Sequence, residues 1–276
     1  MLEIKYDLSQ FQSVEICPIA DVHIGNPLCN ETEFKRLVDY VMEEPDDPNT
    51  ARVCLLNGDL TESVTRTSKV GNVFDQTMTP SVQVATMLKY LKPLTEPTEK
   101  YPQGKIISYC AGNHDDKRYK DTGISAAESI AVGLGLEDRF SKDGCYTFLV
   151  LGRIQNTAST TVTIYNTHMT GGSSTVGGKA NRVAKISNGV IADIIVGSHV
   201  HTPMSFKEDV IIPFGNKLVQ KTITYIVTGA FLRYGDYAQQ SSYKPATINT
   251  PRILVYQGRT QTHKKDTRYT VTEVIL

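Results

Sequence analysis

Ser108-Tyr109-Cys110-Ala111-Gly112-Asn113-His114-Asp115 ends an apolar run that begins at Lys105 on a tight-turning glycine and three side chains able to hold a metal or a proton. Working outward, the same grammar returns on both sides. Ile19-Ala20-Asp21-Val22-His23 and Leu55-Leu56-Asn57-Gly58-Asp59 precede it; Ile164-Tyr165-Asn166-Thr167-His168 and Ile194-Ile195-Val196-Gly197-Ser198-His199-Val200-His201 follow it. Each is a strand-like run closed by ligand-type residues, and in α/β sheets the C-terminal strand ends present reactive groups on rigid supports. A lone Gly-Asp or Gly-Asn-His-Asp is an ordinary turn. Together these segments take up all but one of the 6 histidines, leaving only His263 in the polar run Thr260–Lys265 as a solvated surface residue.

The surrounding chain reads as strands alternating with helices. Short runs rich in Val, Ile, Leu and Tyr predict strands at Val14–Ala20, Arg52–Asn57, Lys105–Ala111, Cys145–Leu151, Thr161–Asn166, Ala192–Gly197, Thr222–Thr228 and Arg252–Gln257. The first three are nearly all apolar, as in strands covered on both faces. Thr161–Asn166 alternates and suits a strand with one wet face. Glu31–Met42 has apolar residues at helical spacing behind Asn30 as N-cap, and Ser81–Leu91, Ile124–Val132 and Lys179–Ile186 are further helix candidates. Thr170–Gly178 and Tyr243–Pro251 read as loops. No repeat or linker divides the chain, so residues 1–276 are expected to form a single domain.

Lys+Arg and Asp+Glu each count 29, a formal net charge of zero that argues against binding nucleic acid through bulk positive charge while leaving a local basic patch open. The odd total of 5 cysteines, with no Cys-x-x-Cys spacing, points away from a disulfide framework or thiolate zinc site. Cys17, Cys54 and Cys110 lie in apolar runs and read as core thiols of a reducing compartment. Residues 1–10 mix both charges without an apolar signal core, and no run approaches the length of a membrane helix. The expectation is a cytoplasmic protein without membrane partners.

In Asp21-x-His23 and His199-x-His201 the two-residue spacing would place both side chains on one face of an extended segment. Gly58 and Gly112 would let the backbone turn where a β-carbon would crowd the site. The ordered set, from about residue 14 to 204, resembles the calcineurin-like metallophosphoesterase superfamily, and the loop Gly171–Arg182 is similar to that of small bacterial and phage-encoded members. One departure is Ser198, since many members have the histidine directly after glycine. The resemblance implies a metallo-dependent phosphatase-like fold, a four-layer α/β/β/α sandwich of two mixed sheets flanked by helices. It also implies two divalent ions (Mn²⁺, Fe or Zn²⁺ by the donor set) about 3.5–4 Å apart. Asp21, His23 and His201 would hold one ion and Asn113, His168 and His199 the other, with Asp59 as the bridge. His114 would protonate the leaving oxygen or stabilise charge on phosphorus, oriented by Asp21 or Asp115.

Such a pair of ions supplies an activated hydroxide for in-line attack on phosphorus. The expected function is therefore hydrolysis of a phosphate ester, with a small phosphodiester or nucleotide narrowly favoured over DNA or a phosphoprotein. A phage-encoded member would work in the host cytoplasm. Lys117 and Arg118 beside His114 either grip a substrate phosphate or belong to a solvated loop; Thr170–Arg182, including Arg182, is either a substrate rim or plain surface. A non-catalytic scaffold would have lost ligands, and all are present here. A single structural zinc would have closely paired ligands, not ligands spread over five strands.

Overall fold

The computed structural model describes residues 1–68, 71–152, 159–235, 248, 250–262 and 265–276, with side chains at 257–262 and 265–270 left aside. The expectation for His263 and most of the Tyr243–Pro251 loop lie outside the described residues. The chain builds two mixed six-stranded sheets. In the first, the parallel strands β2 (Ser13–Ile19), β3 (Thr50–Asn57), β4 (Ile106–Cys110) and β5 (Phe140–Ser141) lie side by side, continued antiparallel from β2 by β11 (Arg252–Thr262) and β12 (Lys265–Ile275). The second runs β1 (Leu2–Leu8), β6 (Cys145–Leu151), β7 (Thr160–Thr167), β8 (Ile194–Gly197), β10 (Lys217–Val227) and β9 (Met204–Phe214).

Three apolar cores explain why these segments stack. Ile16, Val53, Leu55 and Ile107 of the first sheet meet Leu149, Ile164, Val196 and Ile226 of the second in a core between the sheets. The other face of the first sheet, with Cys17, Ile19, Cys54 and Leu56, is covered by α1 (Glu31–Met42), α2 (Pro80–Leu91) and α4 (Ala126–Leu134) through Phe34, Met87 and Ile130. The outer face of the second sheet packs Tyr165, Ile195 and Tyr225 on Val183 of α5 (Val176–Ala184). The layers are thus α/β/β/α, as expected. Strands β2, β3 and β4 are buried on both faces because helices cover one side and the partner sheet the other. Among the described residues no helix is long and apolar enough to cross a membrane.

Two local expectations need correction. Val176, Gly177 and Gly178 belong to α5 and not to a loop: the Thr175 side chain caps the helix by accepting from Gly178 N at 3.1 Å. The ligand pairs Asp21/His23 and His199/His201 do not lie on extended backbone. All four have positive φ, between 50° and 78°. The five cysteines are free, and Cys17, Cys54, Cys110 and Cys145 are buried.

Candidate metal centre

The site lies where parallel strands of both sheets end. Asp21 and His23 follow β2, Asp59 follows β3, Asn113 and His114 follow β4, His168 follows β7, and His199 and His201 follow β8. The ladder between β2 and β3 continues into the ligand loops: Asp21 N donates to Gly58 O, His23 N to Asp59 O and Ile24 N to Leu60 O, each at 3.0 Å. These bonds pin the two loops side by side. They also hold Asp21, His23 and Asp59 in left-handed conformations, which cost a non-glycine residue about 1–2 kcal/mol each. Among the described residues, the non-glycine positions with positive φ are Asp21, His23, Asp59, His199 and His201, together with Ser63 and Met169, which directly follow Glu62 and His168. Strain is concentrated at and beside the candidate ligands.

Asp21, His23 and His201 form one group able to hold an ion, and Asp59, His168 and His199 form a second. Asp59 Oδ2 reaches both, at 3.0 Å from His168 Nε2 and 3.8 Å from His23 Nε2. Asp21 Oδ1 lies 3.1 Å from His201 Nε2 and 3.9 Å from both His23 Nε2 and His168 Nε2. The other carboxylate oxygens are held by backbone: Asp59 Oδ1 accepts from His114 N at 2.7 Å, and Asp21 Oδ2 from His199 N at 3.1 Å.

The donor set fits metal. His168 Nδ1 donates to Asn57 O at 2.8 Å and His23 Nδ1 to Glu62 Oε2 at 3.0 Å, which leaves both Nε2 lone pairs free. His23 Nε2 is buried without a hydrogen-bond partner, and His168 Nε2 is buried with only the Asp59 carboxylate, Oδ2 at 3.0 Å, to pair with. A buried unpaired nitrogen costs about 1–3 kcal/mol, and a cation between these nitrogens and Asp21 and Asp59 would satisfy all of them. The field is suited to positive charge. Burial pushes the His168 pKa down, but Asp59 and Asp21 outweigh it and carry it up to about 10. His199 is pushed down to about 4 by burial and by His168, so it stands ready as a neutral ligand.

Asn113 is exposed beside this centre. His114 is largely buried; burial lowers its pKa, yet Asp59 and Glu62 raise it above the ordinary histidine value. The carboxylate beside His114 is Glu62, whose Oε1 lies 3.3 Å from His114 Nδ1. Asp115 is fully buried and instead accepts from Thr61 N, Thr61 Oγ1 and Gly112 N at 3.1, 2.8 and 3.1 Å, tying the Gly112–Asp115 turn to the segment after Asp59. Glu62 escaped the sequence reading; its signal was an acid three residues after Asp59 in the run Leu60-Thr61-Glu62-Ser63-Val64.

Lys117 is brought to the site, its Nζ 2.7 Å from His114 Nδ1 and 3.6 Å from Glu62 Oε1. Arg118 stands at the start of the short α3 (Tyr119–Thr122), half-buried. The Arg182 guanidinium is engaged by its own loop, donating to Thr170 O at 2.9 Å and to Gly172 O at 2.7 and 3.1 Å. The crowding expected at the glycines is present. A β-carbon on Gly112 would stand 2.1 Å from Asp59 Oδ1, and one on Gly58 would stand 2.7 Å from His168 Nδ1.

No family model and no curated protein matches the sequence. Among solved structures, a crystal structure of a conserved uncharacterized protein from Streptococcus pneumoniae TIGR4, a predicted phosphoesterase, is similar at a TM-score of 0.35 and 9% identity, over 94% of this chain and 98% of that one. So slight a likeness decides nothing about chemistry.

Proposed function

We propose that this chain is a dinuclear metal-dependent phosphoesterase of the calcineurin-like kind, acting on a small phosphodiester or nucleotide. The observation that supports it most is that the buried Nε2 atoms of His23 and His168 converge on the Asp21 and Asp59 carboxylates at the ends of strands from both sheets. Asp21, His23 and His201 would hold one ion, His168, His199 and Asn113 the other, and Asp59 would serve both. A pair of divalent ions such as Mn²⁺, Fe or Zn²⁺ supplies there the acidification of water and the neutralisation of phosphoryl charge.

The chain's own residues do the rest. The Glu62 carboxylate, 3.3 Å from His114 Nδ1, would stabilise the protonated ring, whose Nε2–H would pass a proton to the departing oxygen once Lys117 Nζ turns to the substrate. The backbone bond from His114 N to Asp59 Oδ1 fixes the ring's distance from the ligands. Lys117 adds a positive charge beside His114 that would attract a substrate phosphate. Arg182 shapes the rim through its grip on Thr170 and Gly172 and is not free to hold phosphate in this arrangement.

The test is a hydrolysis panel with Mn²⁺ added, comparing a nitrophenyl monoester, a bis-nitrophenyl diester, cyclic nucleotides and single- and double-stranded DNA. Turnover of the diester or a cyclic nucleotide, lost on chelation, is the expected result. No hydrolysis of any substrate by metal-loaded protein would sink the proposal. His114→Ala should keep both ions yet lose roughly 10²–10⁴-fold in rate on esters with poor leaving groups. Loss of an ion in that variant would make His114 a ligand.

A further inference from the structure

Asn57, the last residue of β3, is fully buried at the junction of the two sheets beneath the centre. All of its side chain's hydrogen-bonding capacity is used. Nδ2 donates to Thr167 O at 3.0 Å and to Ser198 Oγ at 2.5 Å; Oδ1 accepts from Asn166 Nδ2 at 3.1 Å and from the Cys110 thiol at 2.8 Å. Its carbonyl accepts from His168 Nδ1 at 2.8 Å. Asn166 is anchored in turn, its Oδ1 accepting from Ser108 Oγ at 2.8 Å.

The partners form a pattern. Thr167 and Ser198 are the residues immediately before His168 and His199, the two histidines of the second ligand group. Thr167 and the neighbour of Ser198, Gly197, face each other in the β7–β8 ladder. Two residues after Asn57 on its own strand end comes Asp59, the carboxylate of the same group. One amide therefore joins the segments that launch all three side chains, across the gap between sheets. Ser198 is the position where the sequence departs from glycine before the histidine, and its hydroxyl is what Asn57 grips.

We propose that Asn57 and Ser198 are positioning residues for the second ion, setting the distance between Asp59 on one sheet and His168 and His199 on the other. The proposal rests on the dinuclear reading above. Asn57 and Ser198 make no side-chain bond to Asp21, His23 or His201 among the described residues, so the first ion depends on them much less. Residues that orient ligands typically control metal affinity by about 10–100-fold.

The experiment is a Mn²⁺ titration of the metal-free full chain, followed by metal analysis and by electron paramagnetic resonance, which separates a coupled pair from a single ion. Wild type should take up two ions and show the coupled signal. In Ser198→Ala, the milder variant, and in Asn57→Ala, the second ion should bind about 10–100-fold more weakly while the first, which shares only Asp59 with it, loses much less. At two equivalents the single-ion signal should then dominate. A merely structural role would lower the melting temperature and leave the ratio of the two affinities unchanged. If Ser198→Ala folds and keeps that ratio, the inference is overturned, whatever Asn57→Ala does. If wild type itself takes up only one ion, the dinuclear reading falls and takes this inference with it.

Discussion

At Gly112 a single β-carbon would land 2.1 Å from both Asp59 N and Asp59 Oδ1, well inside contact distance. Gly112 does not have a positive φ, so alanine there avoids the left-handed penalty and its main effect is steric. Gly112→Ala should push Asp59 out of place and weaken both ions, measured as metal content after dialysis against limiting Mn²⁺. A variant that keeps full metal content would mean that Asp59 serves neither group. Asp59→Asn is the complementary test, because asparagine tolerates the left-handed φ of 51° as well as aspartate does. Any loss then reports charge and not backbone strain. That Asp21, His23, Asp59, His168, His199 and His201 are of metal-ligand type was legible in the sequence, because residue type alone carries it, and folding gathers them into groups able to hold an ion. Their left-handed backbone was not, since it is imposed by contacts between segments far apart in sequence, such as His199 N to Asp21 Oδ2 at 3.1 Å. Glu62 was missed for the same reason: only folding shows that His23 and His114 share it.

Strands buried on both faces announce themselves as apolar runs, so β2, β3, β4 and β8 were legible within a few residues. The edges were not. Leu2–Leu8 alternates buried and exposed residues with charges on the wet face, and Met204–Phe214 is mostly exposed; each gains its place from a partner strand. Helix α5 begins on Val-Gly-Gly, a poor helix start by propensity, that the Thr175 cap makes possible. What joins elements in the first sheet includes a buried ion pair. Glu15 on β2 accepts from Arg52 Nε of β3 at 2.8 Å, from Tyr40 Oη of α1 at 2.8 Å and from Arg252 of β11 at 3.3 Å. Arg52 also lies over the Tyr40 ring, 3.9 Å from its centroid. Removing the charge from Glu15 leaves a buried guanidinium uncompensated, which costs about 3–5 kcal/mol. Glu15→Gln should therefore lower the urea midpoint sharply, while Arg36→Ala, which breaks the exposed pair with Glu33, should leave it near wild type. Equal midpoints for the two variants would show that the Glu15 cluster does not hold these elements together.

The two sheets contribute to the centre from opposite sides: Asp21, His23 and Asp59 from one, His168, His199 and His201 from the other. A bound cation would tie the sheets together, and in its absence a proton on His168 does part of that work. His168 has its pKa raised from the model-peptide value of 6.5 to about 10, burial opposing and Asp59 and Asp21 prevailing. A raised folded pKa means that the proton's contribution to stability is complete below pH 6.5 and is lost as pH rises toward 10. Between pH 7 and 8.5 the folded chain keeps this proton and the unfolded chain does not, so metal-free protein should lose about 1.4 kcal/mol per pH unit. His199, pushed down to about 4, is neutral throughout that window. Asp115, pushed up to about 6, titrates below it, and the buried thiols of Cys17 and Cys145, pushed up to about 12, stay protonated in the folded chain. Metal binding must displace the His168 proton, so loaded protein should lose this pH dependence while becoming more stable. At a free concentration 100 times Kd, each ion adds about 2.7 kcal/mol, and at about 2–4 °C per kcal/mol for a chain of this size two ions should raise Tm by about 10–20 °C. Thermal melts of chelator-treated and metal-loaded protein at pH 7.0 and 8.5 test both effects: ionisation of the thiols in the unfolded chain lowers both Tm values with pH, and the metal-free Tm should fall more steeply than the loaded one. Parallel falls in the two forms would mean that no cation replaces the His168 proton, and that this histidine is not a ligand.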